Sequence, residues 1–349
     1  MTLADFIHQC VRRLLPLYPE PEAKSIGFRL LEHFYGLPSY KYISDPDTPL
    51  DIPCHPERSE GSDILSALDE LTTGRPLQYV LGFTEFCGHR FRVGEGCLIP
   101  RPETEELVSR IIDDLYADDD LSVMPDSIRH LSGAKPEPSR AAGGVWPERT
   151  VASPPGPPAM PPSAMPDSNR FSDDDGPFNI LDICTGSGCI AWSLAAEFPE
   201  AMVYGCDLSE DALRYACKQR VKVRGAKPVF FRADVLAEPP AGLPKFDVIV
   251  SNPPYICDSE RVAMRPNVLD FEPAEALFVP DNDPLQFYRA IARWADALLR
   301  PDGRIYLEIN ERFGRDVAAL FPGSRLLQDI SGRDRFVKFF SNLLGSRSV

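Results

Sequence analysis

The stretch Asp247-Val248-Ile249-Val250-Ser251-Asn252-Pro253-Pro254-Tyr255 runs an apolar strand directly into an amide, two prolines and an aromatic ring. Proline fixes φ and has no N–H, so the pair stiffens the turn and leaves the Pro253 carbonyl free to accept a hydrogen bond. Asn252 contributes a second acceptor, its side-chain oxygen, and Tyr255 a flat surface. Two acceptors beside a ring suit a planar –NH2 group, whose N–H bonds they hold and whose lone pair they aim.

A second constellation lies upstream, in Asp182-Ile183-Cys184-Thr185-Gly186-Ser187-Gly188-Cys189-Ile190-Ala191. Glycines at 186 and 188 permit a tight turn and let a ligand approach main-chain N–H groups. The tract also satisfies G-x-G-x-x-A, so by itself it leaves a dinucleotide site open. Asp207 follows 19 residues after Gly188, at the end of Val203-Tyr204-Gly205-Cys206-Asp207, where a carboxylate can accept both ribose hydroxyls. Asp234, in Phe231-Arg232-Ala233-Asp234-Val235, ends a third segment, where an acid can meet an adenine amino group. Each aspartate singly could cap a helix or close a turn. Acids at three successive strand ends, one preceding a glycine turn, point to a nucleoside site.

These residues need a scaffold that aligns strand ends. From Phe178 the pattern repeats strand, turn and helix: strands at Phe178–Ile183, Ala201–Cys206, Val229–Arg232, Phe246–Ser251 and Gly303–Ile309, with helices at Ile190–Glu197, Glu210–Val223 and Leu285–Leu299. Two short strands follow near Ser324–Gln328 and Phe336–Phe340. This implies an α/β, doubly wound, Rossmann-like domain over 178–345, with its ligand at the carboxyl ends of the first strands. Residues 1–75 read as a small helical bundle, with helices through Leu3–Tyr35 hinged near Pro19 and another over Asp63–Thr73 that stops at Gly74. Residues 76–100 alternate like a β-hairpin connector, and 101–116 form an amphipathic helix leading into the larger domain.

The whole chain has 349 residues, consistent with about two domains at roughly 150 residues each. Its 36 prolines are an excess, and 12 of them fall within 117–177, with glycines and acidic runs. Such a tract buries too little apolar surface to offset its chain entropy, so it reads as a disordered insertion. The polar tract 54–62 reads as a surface loop. Aspartate plus glutamate outnumber lysine plus arginine by 52 to 37, a net charge of −15 that disfavours direct binding to nucleic acid. The nine cysteines contain no CxxC pair, which implies reduced thiols and no metal site. With no long apolar run, the expectation is a cytoplasmic protein without membrane contact, a monomer.

With both constellations in view, the chain resembles the class I S-adenosylmethionine-dependent methyltransferases that modify planar amino nitrogens. Within them it is similar to the PrmC/HemK family, which methylates the side-chain nitrogen (N5) of the glutamine in the Gly-Gly-Gln motif of peptide chain release factors. Three further tracts carry the likeness: Gly74-Arg75-Pro76-Leu77-Gln78-Tyr79, Leu98-Ile99-Pro100-Arg101-Pro102-Glu103-Thr104-Glu105, and Phe271-Glu272-Pro273. The resemblance implies that Cys184, Thr185, Gly186, Ser187 and Gly188 line the methionine part of S-adenosyl-L-methionine, with Asp182 behind them. It gives the ribose to Asp207, the adenine to Asp234 and Val235, and a cofactor contact to Asn252. Asn252, Pro253, Pro254 and Tyr255 would be the catalytic clamp on the glutamine, with Arg101 and Glu103 as further substrate contacts. Cys184 stands where the family usually has glycine, which a small thiol tolerates if φ there is negative.

Three other readings compete. An amino-methyltransferase acting on a DNA adenine or an rRNA guanine could use the same clamp on a flipped base, but it needs a basic groove. A dehydrogenase would use the glycine turn and leave Asn252 to Tyr255 unexplained. A catalytically silent binding module would have little reason to retain Gly186, Gly188, Asp207 and Asn252 together.

Overall fold

The structure, a computed structural model, describes residues 1–50, 63–117 and 176–341. The disordered insertion expected over 117–177 falls almost wholly, and the loop expected at 54–62 wholly, outside the described residues.

The N-terminal helices are α1 (Leu3–Leu14), α2 (Glu20–Tyr35), the short α3 (Lys41–Ser44), α4 (Ile64–Thr72) and α5 (Leu77–Leu81). Thr2 and Asp5 form a capping box at the start of α1. Asp63 caps α4 by accepting from Ser66 N at 2.7 Å. Phe6, Ile7, Cys10 and Leu14 of α1 recur at helical spacing and bury against Ala23, Ile26, Leu30 and Leu31 of α2 and Leu68 and Leu71 of α4. This cluster is separate from those under the large sheet.

The alternation over 76–100 predicts strand throughout, and the first part is instead helix. Pro76, at φ −58°, presets the first turn of α5, and Gly82, at φ +75°, ends it, since proline is locked near a helical φ. The hairpin proper is β1 (Phe83–Phe86) with β2 (His89–Arg92), paired antiparallel. Helix α6 (Pro102–Ala117) then buries Leu107, Val108, Ile111 and Leu115 on the large sheet.

That sheet contains β3 (Asn179–Ile183), β4 (Met202–Asp207), β5 (Val229–Arg232), β6 (Phe246–Ser251), β9 (Leu299–Glu308), β10 (Arg325–Gln328) and β11 (Asp334–Phe340). Its order is β10-β11-β9-β6-β3-β4-β5, with the five strands from β9 to β5 parallel, β11 antiparallel to β9, and β10 antiparallel to β11. Two-stranded β7 (Ile256–Cys257) and β8 (Phe278–Val279) form a separate pair beyond the end of β6. Helix α7 (Cys189–Glu197), apolar nearly all round, packs with α6 on one face of the large sheet. Of the remaining helices, α8 (Glu210–Lys218), α9 (Pro266–Leu269), α10 (Gln286–Leu298) and α11 (Gly314–Leu320), α10 and α11 cover the other face through Tyr288, Ile291, Trp294 and Val317.

The helix expected over 210–223 ends at Lys218, because Gln219 is claimed by tertiary contacts. Its Oε1 accepts from Arg92 N at 2.8 Å, while its Nε2 donates to the carbonyls of Arg92 and Ser187 at 2.9 and 3.1 Å. From β3 the chain moves outward on one side to β4 and β5, then crosses to β6 on the other. The crevice at the carboxyl ends of β3 and β6 is therefore a topological switch point, where open α/β sheets bind ligands. No helix among the described residues is long and apolar enough to cross a membrane.

Candidate active site

Register brings the candidate residues together. Ile183 at the end of β3 pairs with Cys206 on one side and Ser251 on the other, and Asp207 pairs with Arg232. The turn after Ile183, the acid after Cys206, the acid two residues beyond Arg232 and the Asn-Pro-Pro-Tyr tract thus leave adjacent strand ends in parallel.

The turn after β3 is held from beneath by Asp182, which is fully buried. Its Oδ2 accepts from Thr185 Oγ1 at 2.5 Å and Ala191 N at 3.2 Å. Burial disfavours the charged carboxylate and pushes its pKa up to about 7. Its Oδ1 and the buried Ser187 Oγ have no hydrogen-bond partner among the described residues. Cys184 adopts φ +60°, contrary to the negative φ expected for a tolerated thiol. Thr185 N donates to Cys206 O at 2.9 Å, and the chain reaches that bond by bending through the left-handed region.

The two glycines differ. On Gly186, at φ +57°, a Cβ would meet no atom within 4 Å, so the backbone borders open space. On Gly188 a Cβ would lie 2.9 Å from Phe230 and 3.1 Å from both Ala216 and Trp192, so this glycine lets helix α7 pack. Asp207 is partly buried and clamps the turn, with Oδ2 accepting from Gly186 N at 2.8 Å and Oδ1 from Ser209 N at 2.9 Å. Asp234 is exposed and accepts from Leu236 N at 2.9 Å, while Val235 beside it is buried. An open glycine cradle flanked by one partly buried and one exposed carboxylate fits a nucleoside with a charged tail.

At the end of β6, Ser251 Oγ donates to Ile183 O at 2.6 Å and locks the two strand ends together. Asn252 Nδ2 donates to Thr104 Oγ1 at 2.9 Å, and Thr104 Oγ1 donates to Glu308 Oε2 at 2.7 Å. Tyr255 Oη donates to Glu308 Oε1 at 2.9 Å, so its ring is anchored as well as flat. Burial and the Glu308 charge hold the Tyr255 pKa well above the usual phenol range, which keeps the hydroxyl a donor. No group among the described residues donates to Asn252 Oδ1 or to the Pro253 carbonyl.

Arg101 also braces the fold. Its Nη2 donates to Glu272 Oε1 at 2.6 Å, while Glu272 Oε2 accepts from Ile99 N at 3.1 Å. The Glu272 side chain is 1% exposed and that of Arg101 32%, so the pair staples the connector to the segment between β7 and β8. Glu103 is exposed and precedes Thr104, whose hydroxyl accepts from Asn252. Thr104 and Glu308 are functional candidates that sequence reasoning misses. Thr104 lies inside the 98–105 tract, and Glu308 is an acid at the carboxyl end of a central strand, the same signal that marks Asp207 and Asp234.

A family model described as the methyltransferase small domain matches residues 170–268. The release factor glutamine methyltransferase of Bacteroides thetaiotaomicron is 34% identical over 329 residues, 93% of this chain and 95% of that protein. The protein of the same name from Flavobacterium psychrophilum is 33% identical over 343 residues, 97% of this chain and 99% of its own. The chain belongs to the release factor glutamine methyltransferase family. As a member it is a methyltransferase, and the dehydrogenase and silent-module readings fall away. Among solved structures, TrmN from Thermus thermophilus is 28% identical, covering 47% of this chain and 42% of that one with a TM-score of 0.33. Both of the release factor glutamine methyltransferase matches span nearly the full length of the two chains compared.

Proposed function

We propose that the protein transfers a methyl group from S-adenosyl-L-methionine to the side-chain amide nitrogen of the glutamine in the Gly-Gly-Gln motif of peptide chain release factors. The observation that carries the chemistry is the pair of free acceptors, Asn252 Oδ1 and the Pro253 carbonyl, beside a glycine cradle one strand away. When bound, the cofactor supplies an electrophilic sulfonium methyl. A glutamine amide nitrogen is a poor nucleophile, because its lone pair is delocalised into the carbonyl. Accepting both of its N–H bonds aims that lone pair and stabilises the positive charge that grows on nitrogen during attack. The proton is shed readily afterwards, so no strong base is needed, in keeping with motifs that contain no histidine.

In this reading Gly186 and Thr185 border the methionine portion, Asp207 takes the ribose hydroxyls, and Asp234 with Val235 takes the adenine. Tyr255 presents its ring to the amide plane. The helical unit of residues 1–75 grips the release factor away from the reacting centre, since one glutamine cannot supply the specificity. The acidity of the chain suits a basic protein partner better than a nucleic acid. The test is mass spectrometry of purified release factor incubated with enzyme and S-adenosylmethionine. One added methyl on the Gly-Gly-Gln glutamine supports the reading, whereas methyl transfer to DNA or rRNA in its place overturns it.

A further inference from the structure

We infer that Glu308 and Thr104 form a positioning relay that sets which way the Asn252 amide points. The inference deepens the proposed function and rests on it for the identity of the substrate. Glu308 sits at the end of β9 and is 1% exposed, two strands from the glycine cradle. Its two carboxylate oxygens each accept one hydroxyl, Oε2 from Thr104 at 2.7 Å and Oε1 from Tyr255 at 2.9 Å. Tyr288 Oη donates to the Glu308 main-chain carbonyl at 3.1 Å, which holds the strand end itself.

The polarity of this chain follows from counting protons. A threonine hydroxyl has one proton and two lone pairs. Both Glu308 oxygens accept from hydroxyls, so the Thr104 proton points at Glu308 and Thr104 offers Asn252 a lone pair. Asn252 must therefore turn its NH2 toward Thr104, where Nδ2 lies at 2.9 Å, and its Oδ1 toward the crevice. The clamp needs an oxygen there, because an NH2 group facing a substrate NH2 sets donor against donor. Glu308 touches no substrate in this scheme. It acts through Thr104 on Asn252, and directly on the Tyr255 hydroxyl, so that one buried carboxylate orients both ends of the Asn252–Tyr255 tract.

Glutamine at 308 keeps the size and reverses half of the polarity. Its Nε2 facing Thr104 would donate to the hydroxyl, freeing the threonine proton to point at Asn252 and draw Oδ1 round. The test uses Glu308→Gln, Thr104→Val and Thr104→Ser in the full chain, with steady-state kinetics on release factor and calorimetric titration with S-adenosylmethionine. Glu308→Gln and Thr104→Val should each lower kcat by about tenfold or more while changing cofactor affinity less than about twofold. Thr104→Ser, which keeps the hydroxyl, should restore most of the turnover lost in Thr104→Val. The double variant should be no worse than the weaker single, since both break one chain. Turnover within about threefold in both single variants, or cofactor binding lost in proportion, overturns the relay.

A substrate-free measurement separates this from the function proposed above. In cofactor-free protein labelled with nitrogen-15, the Asn252 side-chain amide, identified by its loss in Asn252→Asp, should show one proton protected from exchange. That protection should vanish in Thr104→Val. Absence of protection in the unaltered protein overturns the relay. Protection in a protein that leaves release factor unmethylated overturns the substrate reading and supports the relay.

Discussion

Cys184 offers a direct measurement of the backbone that shapes the cofactor turn. Its φ of +60° puts an ordinary side chain in the left-handed region. Such a conformation costs roughly 1–2 kcal/mol for a residue with a Cβ. Cys184→Gly removes that cost. Against the gain stands the extra chain entropy lost by glycine, roughly 0.5–1 kcal/mol. The thiol also packs beside the core under α10, a contribution of about 1 kcal/mol. The contributions nearly cancel, so the unfolding free energy of Cys184→Gly should lie within about 1 kcal/mol of the parent. Cys184→Ala keeps the strain and loses the sulfur, so it should be about 1 kcal/mol less stable. Cys184→Val adds a branched Cβ, a true outlier at positive φ, and should lose about 3 kcal/mol or more. Urea unfolding followed by circular dichroism gives the order, which should be Gly close to Cys, then Ala, then Val. A position with ordinary negative φ reverses it, with glycine worst and valine tolerated. That reversed order, or a glycine variant more than about 2 kcal/mol below the parent, would refute a left-handed Cys184.

Asn252→Ala removes one of the two proposed acceptors and should cut kcat by about a hundredfold or more with S-adenosylmethionine affinity little changed; kinetics paired with calorimetry check it, and turnover within about threefold contradicts the clamp. Glu272→Ala leaves the Ile99 N–H unsatisfied and the Arg101 guanidinium unpaired. Because Arg101 is only partly buried, the loss should be about 2 kcal/mol in thermal or urea unfolding. Asp182 has a folded pKa raised to about 7 from 3.8, so its protonated form favours the folded state at low pH, and that contribution fades as pH rises from the unfolded value through the folded one. Between about pH 5 and pH 8 the parent should lose roughly 3 kcal/mol of stability relative to Asp182→Asn, and a pH-independent difference in urea unfolding would show that Asp182 does not titrate there.

Much of the scaffold was legible because its signals are local. The parallel strands ending at Ile183, Cys206, Arg232 and Ser251 are apolar runs with glycine, proline or acidic residues close after them, and the structure finds each within a residue or two of its expected bounds. Where the reading missed, a distant partner had intervened. Lys218 ends α8 because Gln219 bonds to Arg92 and Ser187, far away in the chain, and Leu77–Leu81 is helical because Pro76 starts a turn whose residues face the N-terminal core. Arg101 looked available to a substrate, and only the fold shows Glu272 holding it.

Composition and motif determined that this chain carries a glycine turn, acids at successive strand ends and a rigid Asn-Pro-Pro-Tyr acceptor tract, because those depend on residue type and near spacing. Tertiary structure alone decided that Gly186 borders open space while Gly188 is filled by Phe230, and that Cys184 is left-handed. It also decided that Glu308 reaches Thr104 across 204 residues of chain and Thr104 reaches Asn252 across 148. Hydrogen-bond polarity and open volume arise where separate strands end side by side, and one-dimensional spacing carries no record of which ends meet.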